Sequence, residues 1–212
     1  MKIPILPMTS DEDNDIILGR VRFDVFTPKI IGETSMMTAV KTKSQTDEDK
    51  GTALVIDVKG LQRKNLNDVL LKRLRIRGMR TWFMTNIEGV DDVFDAFNTD
   101  AEAVLVPVNT VRSEDEFEDI LSVSDSTIPA VLVRKRGTIY IGESIDYIKA
   151  VRKVFAAGYI TAAVFDLDDS LTEENWTYLK DEGDIMPCSF TGKIKGDRFE
   201  ELGFDRCFTV PE

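Results

Sequence analysis

The sequence predicts an α/β protein, a single-domain (β/α)8 TIM-type parallel barrel over residues 1–212 whose C-terminal helix is absent or minimal. Three observations lead there. Eight short apolar runs are dealt evenly along the chain; helix-like segments separate most of them; and the central runs lack strict apolar–polar alternation. Strands covered on both faces read as continuous hydrophobic runs, and strand–helix repeats of this length enforce parallel pairing with right-handed crossovers. A barrel of this kind gathers its chemistry at the C-terminal ends of the strands.

The eight runs are Lys2–Met8, Thr52–Val58, Thr81–Ile87, Ala103–Val108, Pro129–Val133, Ala162–Asp166, Ile185–Phe190 and Arg206–Val210. After the first, Arg20–Thr27 alternates Val21, Phe23 and Val25 with Arg22, Asp24 and Phe26, which predicts an extended or hairpin excursion. A helix is placed at about Glu33–Lys41 and an exposed polar connection at Thr42–Gly51. Asn65 is placed as the cap of a helix bearing Leu66, Val69, Leu70 and Leu74 on one face and ending at Gly78. Ser113 stands three residues before Glu116 in capping-box spacing, ahead of Phe117, Ile120 and Leu121. Ser144 is placed at the start of a helix through Ile148, Val151 and Phe155 to Gly158, and Thr172 leads into Trp176 and Leu179 with Gly183 as terminator. Only two residues follow the last run, Pro211 and Glu212, which leaves no chain here for an eighth helix.

Composition narrows the chemistry. A net charge of −11 argues against nucleic acid and anionic membranes as partners. No run approaches the roughly 18 apolar residues needed to span a bilayer, and the apolar start gives way quickly to Asp11, Glu12 and Asp13. Two cysteines, Cys188 and Cys207, make no disulfide framework, so a reduced, cytoplasmic protein is expected, with both thiols buried and inert. The chain has no histidine. That removes the usual neutral-pH base and the commonest metal ligand, and it disfavours zinc.

If the strands close, the polar residues ending strands two to six converge: Asp57, Asn86, Asn109, Arg134, Asp166 and Asp168. Such a rim suits a small phosphorylated or anionic metabolite, with Arg134 as a bidentate partner and Gly192 with Lys193 and Lys195 as a phosphate-cradling turn. A ring of mutually satisfied salt bridges in a retired site is the alternative. A basic band formed by Lys59, Arg63, Lys64, Lys72, Arg73, Arg75, Arg77 and Arg80 reads as a solvated helix face.

Val164-Phe-Asp-Leu-Asp-Asp-Ser-Leu-Thr172 resembles the first motif of the haloacid-dehalogenase phosphatases. That resemblance implies Asp166 as nucleophile, Asp168 as general acid/base and Mg²⁺ as cofactor; no cofactor is expected otherwise. Its position argues against it, because in that family the motif opens the domain.

A second resemblance covers nearly the whole chain. Lys2-Ile-Pro-Ile-Leu-Pro, Val55-Ile-Asp-Val-Lys-Gly-Leu with Asn65, Asn109-Thr-Val-Arg-Ser-Glu-Asp-Glu-Phe, Asp166-Leu-Asp168 and Phe199-Glu-Glu-Leu-Gly-Phe-Asp are similar, in order and spacing, to segments of the ProFAR isomerase family of histidine biosynthesis and its archaeal paralogues. The resemblance implies a divergent paralogue of that barrel. The isomerase aspartates ending strands one and five fall here at Pro7 or Met8 and at Arg134 or Lys135, so isomerase activity is not expected. The family's phosphate-cradling glycine turns are reduced to Thr191-Gly192. Three functional readings stand: an anion-binding relative of the isomerases, a Mg²⁺-dependent phosphatase, and a non-catalytic protein that forms a homodimer through its uncovered last strand.

Overall fold

The computed structural model describes residues 1–10, 15–34, 51–67, 69, 70 and 80–210. Strands form at all eight apolar runs. They are β1 (Lys2–Ser10), β4 (Thr52–Asp57), β5 (Arg80–Met84), β6 (Ala103–Pro107), β7 (Thr127–Val133), β10 (Thr161–Asp166), β11 (Asp184–Ser189) and β12 (Cys207–Thr209). Two hairpins are added. One is β2 (Ile16–Asp24) with β3 (Thr27–Thr34), the other β8 (Gly137–Tyr140) with β9 (Glu143–Asp146). The helices among the described residues are α1 (Val58–Arg63), α2 (Val90–Phe97), α3 (Glu114–Val123), α4 (Tyr147–Ala156), α5 (Glu173–Glu182) and α6 (Gly196–Glu201).

The expected (β/α)8 TIM-type barrel is corrected. The strands form one ten-stranded, mostly parallel sheet in the order β11-β10-β7-β6-β5-β4-β1-β2-β3, with β12 on β1. Among the described residues there are six helices, and β11 and β12 share no hydrogen-bonded ladder. The causes are local. β1 runs past the end of its pairing with β4 and takes β2 as an antiparallel neighbour at Met8–Ser10. The last strand has only three residues, which pair with Lys2–Pro4. The β8–β9 hairpin interrupts the strand–helix alternation between β7 and α4.

The sheet is nonetheless covered on both faces, as its composition requires. Alternate residues of each strand enter two different cores. Ile3, Ile5, Leu54, Ile56, Trp82, Met84, Leu105, Phe165 and Phe208 pack on the concave face. Val55, Phe83, Val104, Val131 and Val164 pack outward against Phe117, Ile120, Val151, Trp176 and Phe199. The sheet curls enough for Trp82 of β5 to meet Phe208 of β12, ring centroids 6.2 Å apart, while Phe165 stacks on Phe208 at 5.2 Å.

Helix boundaries follow local chemistry. Ser113 Oγ accepts from Glu116 N, and Thr172 Oγ1 accepts from Asn175 N while Asn175 returns a bond to Thr172 N, so both expected caps form. Two expected caps are displaced. Where Asn65 was expected to cap the helix bearing Val69 and Leu70, Asn67 accepts from Leu70 N and residues 69 and 70 are helical; the short α1 before it was not expected, and Asp57 opens it because its carboxylate reaches Gly60 N. Asp146 rather than Ser144 caps α4, since Ser144 is spent on β9. Glu33 and Thr34 belong to β3, not to a helix. The rest of the helix expected at Glu33–Lys41, most of the Thr42–Gly51 connection, and Leu74, Gly78, Lys72, Arg73, Arg75 and Arg77 lie outside the described residues. No helix among the described residues is long and apolar enough to cross a membrane.

Candidate anion site beside a closed sheet mouth

Strand parity separates the residues expected to share a rim. Asp57 follows Ala53 and Val55 outward, and Asp166 follows Ala162 and Val164 outward, so neither carboxylate faces the concave interior. Asp57 is fully buried. Its Oδ1 accepts from Gly60 N at 2.9 Å, and its Oδ2 accepts from Thr85 Oγ1 at 2.9 Å and Asn67 N at 3.3 Å. A Cβ at residue 60 would stand 2.1 Å from Asp57 Oδ2, so only glycine lets the carboxylate fold over this turn. Asp166 accepts from Ser170 N at 3.0 Å, Ser170 Oγ at 3.2 Å and Leu171 N at 2.9 Å. Burial pushes both carboxyls above their ordinary 3.8, and the hydrogen bonds only partly offset it.

That shift has a definite sign. A carboxyl whose folded value is raised contributes stability that is complete below the unfolded value and is lost as pH rises through the folded one. The unfolding free energy of the native protein minus that of Asp166→Asn is therefore expected to shrink as pH rises from about 3.8 toward neutrality. Urea titrations of both proteins across that interval check it, and a difference that grows with pH would contradict it.

The structure does bring Arg134 and Asp168 together. Arg134 Nε lies 3.8 Å from Asp168 Oδ2, and both Asp168 oxygens accept from Lys135 N at 3.2 Å. Ser170 accepts from Arg136 N and Nε on the same turn, through its hydroxyl and carbonyl oxygens respectively. The turn after β10 is thus laced to the turn after β7, with Asp166 and Asp168 employed in holding it. Asn86 donates to Glu88 Oε1 at 3.3 Å, and Glu88 is held low by Arg112. Asn109 Oδ1 is buried without a hydrogen-bond partner. Of the basic band, Lys59 donates to Ser10 O and Oγ, and Arg80 pairs with Glu102.

The concave mouth itself is closed. Val21 and Phe23 of β2 are buried in the inner core, with Phe26, Ile30, Leu61 and Val210 packed against it. Phe23 meets Phe190 edge to face at 4.9 Å, and Phe190 meets Phe165 at 5.9 Å. Gln62 Nε2 ties the hairpin down through Pro28 O at 2.9 Å. The convergent polar rim is therefore replaced by an apolar plug, whose signal in the sequence was the alternation at Arg20–Thr27.

Beside the plug a cavity of about 390 Å³ remains at the C-terminal ends of β11 and β12, lined by Ser189, Thr191, Gly192, Lys195, Thr209 and Val210 among others. Gly192 has φ +78°, and nothing stands within 4 Å of where a Cβ would be. Lys193 is exposed next to it. The wall is braced by Asp169, a residue passed over in the sequence although it adjoins Asp168. Its Oδ1 accepts from Ser189 Oγ at 2.8 Å and its Oδ2 from Thr191 Oγ1. Ile194 N donates to Ser189 Oγ at 3.3 Å, and Gly192 N to Ser189 O at 3.1 Å.

Both Asp166 oxygens are filled by the chain's own donors, and among the described residues no three acidic or thiol side chains gather as a metal would need. Cys188 and Cys207 are both free and buried, on opposite faces of the sheet. Burial raises both thiols, which matches inert packing. No family model matches the chain, and no curated protein matches it.

Proposed function

We propose that this protein binds a small phosphorylated or anionic metabolite in the cavity at the ends of β11 and β12, and that Gly192, Lys193 and Lys195 take the anionic group. The observation that carries this reading is the turn itself. Gly192 at φ +78° has open space where a Cβ would stand, Lys193 and Lys195 follow it in the chain, and Lys195 lines a cavity large enough for a small ligand. In a chain with net charge −11, two lysines close together in the chain lessen the repulsion that an anion meets here. The resemblance to the ProFAR isomerases adds support, because their substrate phosphates are held by glycine turns following the corresponding strands.

Asp57, Asn86, Asn109 and Arg134 are not part of this reading, since the hairpin closes the mouth they were expected to share. Binding rather than turnover is the proposed activity: Asp166 and Asp168 are occupied in holding the turn after β10.

Isothermal titration with orthophosphate and with sn-glycerol 3-phosphate tests the proposal. At least one is expected to bind the native protein, with Lys193→Ala weakening it about fivefold and added salt weakening it further. Absence of binding by both probes, or affinities unchanged in Lys193→Ala, would overturn it.

A further inference from the structure

We infer that Asp169 is the specificity-determining residue of this cavity, selecting a phosphate ester that carries a hydroxyl or amine beside its phosphate over a bare inorganic anion. The inference rests on the binding reading above and names what the site prefers. It follows from counting protons. A carboxylate only accepts hydrogen bonds, so the Ser189 and Thr191 hydroxyls, each with one proton, both donate it to Asp169.

Ser189 also spends one lone pair on Ile194 N. What these two hydroxyls can offer the cavity is lone pairs alone: one left on Ser189 and two on Thr191. The Ser189 and Thr191 hydroxyls therefore present acceptors backed by the negative charge of Asp169, while Lys195 lines the same cavity as a cation.

A sulfate ion, which carries no proton near neutral pH, meets these lone pairs with oxygens only. An ester with a neighbouring hydroxyl or amine presents a donor to them and its phosphate to Lys195. The preference comes from the direction in which two hydroxyl protons point, and Asp169 fixes that direction. Asp169 sits at φ +54°, a conformation asparagine tolerates as well as aspartate, so Asp169→Asn preserves the turn. The amide donates to one of the two hydroxyls and so releases that hydroxyl's proton toward the cavity.

The test is the ratio of dissociation constants for sulfate and sn-glycerol 3-phosphate, measured by titration calorimetry. The native protein is expected to favour the ester, and Asp169→Asn to lower that preference about fivefold, mainly by tightening sulfate. Thr191→Val, a change at an exposed position, is expected to lower the preference by weakening the ester, because the acceptor is gone. A general loosening of the turn would weaken both ligands together and leave the ratio alone. Two ligands bound with a ratio that neither variant moves would overturn the role of Asp169 while leaving the binding reading intact. Failure of the native protein to bind the ester would overturn this inference, and failure to bind orthophosphate as well would overturn the binding reading with it.

Discussion

Asp57→Ala is expected to lower the unfolding free energy by about 3–5 kcal/mol. The carboxylate is fully buried and is the shared acceptor of Gly60 N, Asn67 N and the Thr85 hydroxyl. Removing it orphans two backbone donors and one side-chain donor in the outer core, and each unsatisfied buried group costs about 1–3 kcal/mol. Relief of burying a carboxyl and partial hydration of the gap offset some of that sum. The effect is one of architecture rather than ligand binding. Asp57 opens α1 and, through Thr85, joins the ends of β4 and β5, so chemical denaturation should report the loss while phosphate affinity at the distant Gly192 turn stays unchanged. A variant as stable as the native protein would show that Asp57 is not a structural keystone of this end of the sheet.

Phe23→Ala is expected to cost about 3–4 kcal/mol, mostly as local release of the β2–β3 hairpin. Phe23 is 7% exposed and meets Phe190 at 4.9 Å, so truncation loses both the transferred area and an aromatic pair. The rest of the hairpin's hold is three residue pairs with β1 at Met8–Ser10, the Gln62–Pro28 bond, buried Leu18 and Val21, and the partly buried Ile16, Phe26 and Ile30. Hydrogen exchange should show the amides of β2 and β3 losing protection well before those of β4 to β7. Uniform loss across the sheet would indicate that the hairpin is integral to the core rather than a cover on it.

Strand positions were legible because burial on both faces leaves a strong mark: Ala103–Pro107 and Thr127–Val133 are buried at every residue. Arrangement was harder to read. Nothing in Lys2–Ser10 announces that its last three residues turn from a parallel neighbour to an antiparallel one, or that Cys207–Thr209 would pair on one side only. The site failed for a more elementary reason. Asp57 and Asp166 stand one residue beyond Ile56 and Phe165, and one residue reverses the face on which a strand side chain projects. Counting parity back from those two apolar neighbours would have placed both carboxylates among the helices. Asn86, which continues the inward series Trp82 and Met84, and Arg134, which continues Ala130 and Leu132, keep inward parity; their company was misjudged because the hairpin occupies the space they were given. Gly192, Lys193 and Lys195 were singled out from glycine and lysine chemistry alone, whereas Asp169 accepts from two hydroxyls some twenty residues away and leaves no local pattern.

The closure of the mouth by Phe23 against Phe190 has a bearing on the order of events during synthesis. The hairpin leaves the ribosome well before its aromatic seat, which is made by a residue 167 positions later (190 − 23), and β1 likewise waits for β12. Contacts of such long sequence separation form late, after loop entropy has been overcome. Until then Val21, Phe23 and the bare flank of β1 remain uncovered on the nascent polypeptide, a natural foothold for chaperones and the stretch where premature association between growing chains would begin.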